Sequence, residues 1–266
     1  MRRIRRRPKK LPAILSIISK TDGSVVGHLD RNDLVYRAEG NANLVLAIPH
    51  MQQVLRLGKS SRNSDHPSND HVIMVTEYGR IMSSLFTADF TIEPKLVFLR
   101  IPNYQSLNNW LNQFRPSMRC DKEIKCRAGI LYPDLAILRR DLLPENIQVK
   151  GETYCVEIKP KQGWILPKDI LEALFPDSDG QFCRFCAMQY LKLVRQTIKR
   201  VSNYCPIDLF SGDRTRMLKA LQGLVETPQN NFRMWRSGHL IYGDGLDSAR
   251  FREALEDVMC QRDHTE

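Results

Sequence analysis

The segment DLVYRAEGNANLVLA (33–47) sets the tightest limit on what this chain can fold into. Leu34 and Tyr36 alternate with other residues, and Leu44 and Leu46 do the same further on. Successive side chains of a strand point to opposite faces, so the pattern predicts strand, tight loop, strand. The loop holds Glu39, Gly40, Asn41, Ala42 and Asn43, small or turn-forming residues that let backbone N–H groups approach a ligand. A third such run, QQVLRLGK (52–59), places Arg56 between Leu55 and Leu57.

A second stretch, VEIKPKQGW (156–164), spends one glutamate and two lysines in nine residues. As a strand it puts Cys155, Glu157, Lys159 and Lys161 on one face, with Tyr154, Val156 and Ile158 facing a core. Two readings stand side by side. In one, this is an edge strand whose charges and Pro160 discourage aggregation. In the other, the lysines are aimed at phosphates and the carboxylate holds them in place.

Elsewhere the pattern is uneven. KSSRNSDHPSNDH (59–71) reads as a polar loop, and 72–118 is mixed. Glu93, Pro94 and Lys95 look like a connection between strands, and LNNWLNQF looks helical. RPSMRCDKEIKCR (115–127) supplies cations, and AGILYPDLAIL is a strand broken at Pro133 that could link two lobes. A helix is predicted from about Phe182, with Cys183, Cys186, Tyr190, Leu193, Val194, Thr197 and Val201 on its apolar face. A second carries Met217, Leu218, Leu221, Leu224 and Val225 at core spacing and ends at Thr227-Pro228. The segment after it reads as a loop and a hairpin turning at Ser237-Gly238.

The net charge of +10 is unevenly placed. MRRIRRRPKK (1–10) carries seven cations and no acid, which leaves +3 for the remaining chain. Such a tail suits nuclear import, nucleic acid or anionic lipid, or a solvated arm. The apolar LPAILSII (11–18) contains Pro12, meets Lys20 and lacks a small-x-small cleavage site, unlike a secretory signal. An organellar presequence is a further alternative, since the first twenty residues hold no acid. No apolar run approaches the ~20 residues of a membrane helix. Seven cysteines in no disulfide-like spacing suggest a reducing compartment. Cys183 and Cys186 form a lone CxxC without a second pair or histidines nearby in sequence, so core cysteines are expected and no metal site.

Strand, small-residue loop, strand, and a cation on the third strand is the entry arrangement of kinase nucleotide sites. With GNANLVLA, VEIKPKQGW, CRFCAMQYLKL, YCPIDLFSGD, TPQNNFR and GHLIYG in that order, the chain resembles the inositol-pentakisphosphate 2-kinases. The resemblance spans 35–243, more loosely over 59–114. It implies an α+β, divergent two-lobed kinase-like fold, with a basic disordered extension over 1–34. A nucleotide lobe over 35–145 and the first part of an inositide lobe over 146–266 would follow. It also implies ATP and Mg2+ as cofactors, and transfer of the γ-phosphoryl group to the 2-hydroxyl of inositol pentakisphosphate. A monomer in the nucleus or cytoplasm is expected.

By the same resemblance, Gly40, Asn41, Ala42 and Asn43 form the nucleotide loop, and Arg56 is the nucleotide-binding cation. Tyr132, Pro133 and Asp134 fall at the adenine hinge. Glu157, Lys159 and Arg233 lie on the nucleotide side, while Lys161, Lys192, Asn230 and Arg119 contact inositide, with Arg115 close to the last. Met188 replaces a histidine common in the family, and the first 34 residues have no counterpart. The family's base and metal aspartates are expected beyond Glu266, so no catalytic residue is assigned, and Asp208 matches a structural position. Two alternatives are a non-catalytic inositide- or nucleotide-binding relative and a basic nucleic-acid module. The latter should interleave aromatics with cations on exposed strands, and no such face is evident.

Overall fold

Residues 12–34, expected to belong to a disordered extension, instead build part of a sheet. In the computed structural model, Leu15–Ser19 (β1) and Val25–Leu29 (β2) pair antiparallel. Leu15 and Ile17 are fully buried and Leu29 nearly so. Residues 15–18 of the run that imitates a leader thus belong to a core strand. The structure describes residues 12–63, 69–86, 90–139, 143–165, 167–174 and 183–243. The basic tail, residues 1–10, lies outside them.

The chain divides into two compact units, Met1–Asp134 and Leu135–Glu266, eleven residues before the boundary expected at 145. The first unit continues with Val35–Glu39 (β3), Asn43–Ile48 (β4) and Gln53–Ser61 (β5), as the alternation predicts. Asp70–Ser84 (α1), Lys95–Arg100 (β6), Tyr104–Leu111 (α2) and Lys122–Pro133 (β7) complete it. The strands form one sheet in the order β2-β1-β6-β7-β5-β4-β3. Leu44, Leu46, Leu55, Leu57 and Val97 pack in one core cluster with Leu107, Trp110 and Leu111 of α2. Val72 of α1 packs with Ala128 and Ile130 in another. Asn108 stitches α2 to β7: its Nδ2 donates to Tyr104 and Ile124 carbonyls and its Oδ1 accepts from Ile124 N–H. Glu93-Pro94-Lys95 therefore lies between a helix and a strand rather than between two strands.

The second unit carries Tyr154–Ile158 (β8), Lys168–Leu174 (α3), Arg184–Val194 (α4), Pro206–Leu209 (α5) and Arg214–Glu226 (α6). Phe232–Arg236 (β9) and His239–Tyr242 (β10) complete a sheet ordered β10-β9-β8. β8 is its edge, as the simpler of the two readings requires. The β9–β10 turn falls at Ser237 and Gly238, both at positive φ, the conformation that a two-residue hairpin demands. Asp213 caps α6, accepting from Arg216 N–H at 2.8 Å.

The apolar face expected on α4 is corrected. The helix stops at Val194, and Gln196 turns left-handed (φ 55°), so Thr197 and Val201 are not on it. Its buried residues are Phe185 and Gln189, whereas Val194 is 80% exposed. Gln189 is inside because its amide exchanges two hydrogen bonds with that of Gln229, at 2.8 and 3.2 Å. A polar side chain thereby takes a core position that a hydrophobic count gives to leucine.

Candidate functional site

In the first unit the β3–β4 loop is tied down by its own backbone. Gly40 N–H donates to Asn43 O and Lys59 N–H to Ala42 O, each at 2.9 Å. Lys122 Nζ donates to Asn41 O and Oδ1 at 3.2 and 3.0 Å. Gly40 does not adopt positive φ, and a Cβ there would meet nothing within 4 Å. Neither backbone strain nor the chain's own packing calls for glycine, which leaves open space against the loop for a ligand.

The loop's base rests on a buried ion triad that the sequence pattern does not reveal. Glu39 accepts from Lys59 Nζ, and from Arg115 Nε at 3.0 Å and NH2 at 3.0 Å. All three side chains are 0–1% exposed. Arg115 also donates to Asn112 Oδ1 at 3.1 Å and to the Arg119 carbonyl. Its fork is therefore fully occupied by the protein.

Arg119 and Arg56 are different. Each is half-buried, and neither guanidinium makes a hydrogen bond or ion pair among the described residues. Arg56 pairs across the sheet with Val45 and Ile130, opposite in phase to Leu55 and Leu57. Tyr132 and Pro133 end β7, opposite Val54 and Gln53, and Asp134 donates its N–H to Gln52 O at 2.9 Å. The Asp134 carboxylate is buried and accepts from Arg37, so at this position only backbone and ring surfaces remain for a ligand. The first unit ends here.

In the second unit the strand containing Glu157 ends at Ile158, one residue before Lys159. Lys159 N–H still donates to Asn231 O, at 2.8 Å, but Lys161 adopts φ 62°. The expectation that Lys159 and Lys161 share a strand face by alternation is corrected: a left-handed turn carries Lys161. The cause is packing from far along the chain. Tyr204 OH donates to Pro160 O at 2.7 Å, and a Cβ on Gly163 would lie 2.9 Å from the Pro206 ring at the start of α5. Trp164 is held at the other side, its carbonyl accepting from Arg184 N–H and its ring 5.3 Å from the Arg184 guanidinium. KPKQGW is thus moulded by the YCPID and CRFC segments.

The bend keeps the lysines together. Burial, then the charges of Lys159 and Lys192, lower the Lys161 pKa below its ordinary value. Glu157 braces this set, accepting from Lys159 Nζ at 3.2 Å and Arg233 NH1 at 3.4 Å. Two cations thus meet one carboxylate. Lys161 and Lys192 make no hydrogen bond or ion pair among the described residues. Asn230 is exposed, and Asn231, next to it in sequence, is buried.

Cys183 and Cys186 are not a lone pair in space. Cys205, just before α5, joins them: Cys183 Sγ lies 3.3 Å from Cys186 Sγ and 3.7 Å from Cys205 Sγ. Hydrogen bonding from Cys186 lowers the Cys183 pKa to about 6, and the other two thiols are pushed up. Three of the four ligands of a tetrahedral thiolate site are present, and among the described residues no fourth accompanies them. Asp208, expected to be structural, pairs with Arg216 at 2.6 Å. No helix among the described residues is long and apolar enough to cross a membrane.

The family model described as inositol-pentakisphosphate 2-kinase matches residues 36–266. A protein of that name from Drosophila melanogaster is 33% identical to 83% of this chain, over 50% of its own length. Its namesake in Danio rerio is 34% identical over 80% of this chain and 45% of itself. The Arabidopsis thaliana relative, also so named, is 28% identical over 86% and 58%. The chain spans about half the length of the curated relatives it matches.

Proposed function

Because the chain belongs to the inositol-pentakisphosphate 2-kinase family, we propose that it serves transfer of the ATP γ-phosphoryl group to the 2-hydroxyl of inositol 1,3,4,5,6-pentakisphosphate, giving the hexakisphosphate. One observation carries this reading: Lys159 and Arg233 meet on Glu157, while Lys161, which feels the charges of Lys159 and Lys192, has no partner among the described residues, nor has Lys192. Such an excess of positive charge costs stability unless a crowded anion neutralises it. Phosphoryl transfer asks for just that, positioning and charge neutralisation more than covalent chemistry.

In this reading the first unit is the nucleotide lobe of a kinase-like fold. The 40–43 loop covers phosphates, Arg56 neutralises them, and Tyr132 and Pro133 border the base. In the second unit Glu157, Lys159 and Arg233 are the residues for nucleotide, and Lys161, Lys192 and Asn230 those for inositide phosphates; in the first unit Arg119 is a further inositide contact. Asp134 departs from this scheme only in its carboxylate, which Arg37 occupies.

Mg2+ asks for oxygen ligands with free charge. Glu39, Asp134, Glu157 and Asp208 are each engaged by cations, so these residues do not fit the ion and no step is routed through it. The same engagement leaves none of the four free to take the hydroxyl proton. The 266-residue chain is therefore expected to bind ATP and inositol pentakisphosphate and to turn over slowly. Calorimetry with each ligand, with radiolabelled transfer alongside, tests this. Failure to bind either would sink the proposal, and fast hexakisphosphate formation would show that one of these carboxylates is released for catalysis.

A further inference from the structure

Three side-chain amides are buried among the described residues: Asn108, Gln189 and Asn231. Asn108 is satisfied by three backbone partners and Gln189 by Gln229. Asn231 is only 1% exposed, yet neither its Nδ2 nor its Oδ1 has a partner among the described residues. A buried polar group left unpaired forfeits about 1–3 kcal/mol, and such exceptions need a cause. The backbone here is well held, with Asn231 N–H on Pro228 O and its carbonyl accepting from Lys159, both at 2.8 Å. The β8–β9 ladder pairs Glu157 with Arg233, and Asn231 extends it by one step opposite Lys159. Period two then puts the Asn231 side chain on the face of Glu157 and Arg233.

We infer that the Asn231 carboxamide is a preorganised contact of this anion site, whose partners arrive with a phosphate group. Its NH2 donates to a phosphate oxygen, and its Oδ1 accepts from an ammonium drawn in by the same charge. This rests on the proposed anion-binding role, and it adds a residue to which that role had not been given. Its exposed neighbour Asn230 is the one the family resemblance marks.

The test uses Asn231→Leu, close in size and without polar atoms, with Asn231→Ser as a second variant should the first not fold. Melting temperature is read on the full 266-residue chain without ligand. Affinity is then read for tripolyphosphate, ATP and inositol pentakisphosphate. Asn231→Leu should melt at the same temperature or higher, because the unpaired amide is gone, while affinity for at least one probe falls about tenfold or more. A lower melting temperature with unchanged affinities would overturn the inference and make the amide the holder of a structural water. If the wild type binds no probe, the proposed function fails. The ligand-free melt then judges Asn231 alone, and a destabilised leucine variant rejects the inference.

Discussion

The triad under the β3–β4 loop predicts an asymmetry that sequence similarity does not. Glu39, Lys59 and Arg115 are all but fully buried and together carry one net positive charge. Glu39→Gln removes the carboxylate and leaves two cations facing each other in the interior. Breaking a buried ion pair this way costs about 3–5 kcal/mol. The first unit spans Met1–Asp134, and at about 2.1 cal/mol/K per residue its unfolding entropy is roughly 0.28 kcal/mol/K. The melting temperature should therefore fall by about 11–18 °C. Lys59→Met leaves Glu39 paired with Arg115, a neutral bidentate couple, so its loss should be less than half as large. Scanning calorimetry of both variants measures the difference directly. Equal losses, or a fall under about 3 °C for Glu39→Gln, would show that the charges are not desolvated as their burial implies.

The lysine pair should separate by ligand: Lys161→Ala weakens inositol pentakisphosphate binding and Lys159→Ala weakens ATP, each by about 1.5–3 kcal/mol, as for hydrogen bonds to charged groups. Unchanged affinities in both would return β8 to a plain solvated edge. The ultraviolet absorbance of thiolate should show one step with a midpoint of about 6, absent in Cys183→Ser. Because this pKa is lowered from 9.0, the stability it contributes is fully present above 9.0 and is lost as pH falls through about 6. A single thiolate step near the ordinary value refutes the coupling. Deleting residues 1–10 should leave the ligand-free melt unchanged, since the sheet begins at Leu15, and the segment should carry a fused fluorescent protein into nuclei. A large loss of stability, or a fusion that stays cytoplasmic, rejects that reading of the tail.

What could be read from the chain followed periodicity, and what could not followed distance. β3, β4 and β5 were legible because Leu44, Leu46, Leu55 and Leu57 alternate cleanly against the core. β1 was not, since three consecutive residues are buried and the run reads as a continuous apolar stretch. α1 hid for the opposite reason: it buries only Val72 and Thr76, while Met74, Tyr78 and Ile81 are exposed, so no helical stripe forms. The bend at Lys161 is imposed by Tyr204 and Pro206, more than forty residues later. Cys205 reaches the CxxC pair by the same route, and no local spacing announces either contact.

The site itself shows why charge in a sequence is an ambiguous signal. Arg115 and Arg119 lie four residues apart in one basic segment, and residue type gives no reason to prefer either. Folding assigns them opposite roles, one fork spent on Glu39 and the Arg119 carbonyl, the other guanidinium without a partner among the described residues. Lys59 and Arg56 divide in the same way on β5, one ammonium locked under the loop and one guanidinium without a partner among the described residues. In the first pair the engaged cation holds the carbonyl of the other, and in the second it ties the shared strand β5 to Glu39 at the end of β3. A cation can be preorganised for phosphate only where other charges have already fixed its strand or turn. The engaged members should therefore affect ligand affinity through stability and the free ones without it. A melt and a titration on the same four alanine variants separate the two, and a free cation whose loss unfolds the protein would break the rule.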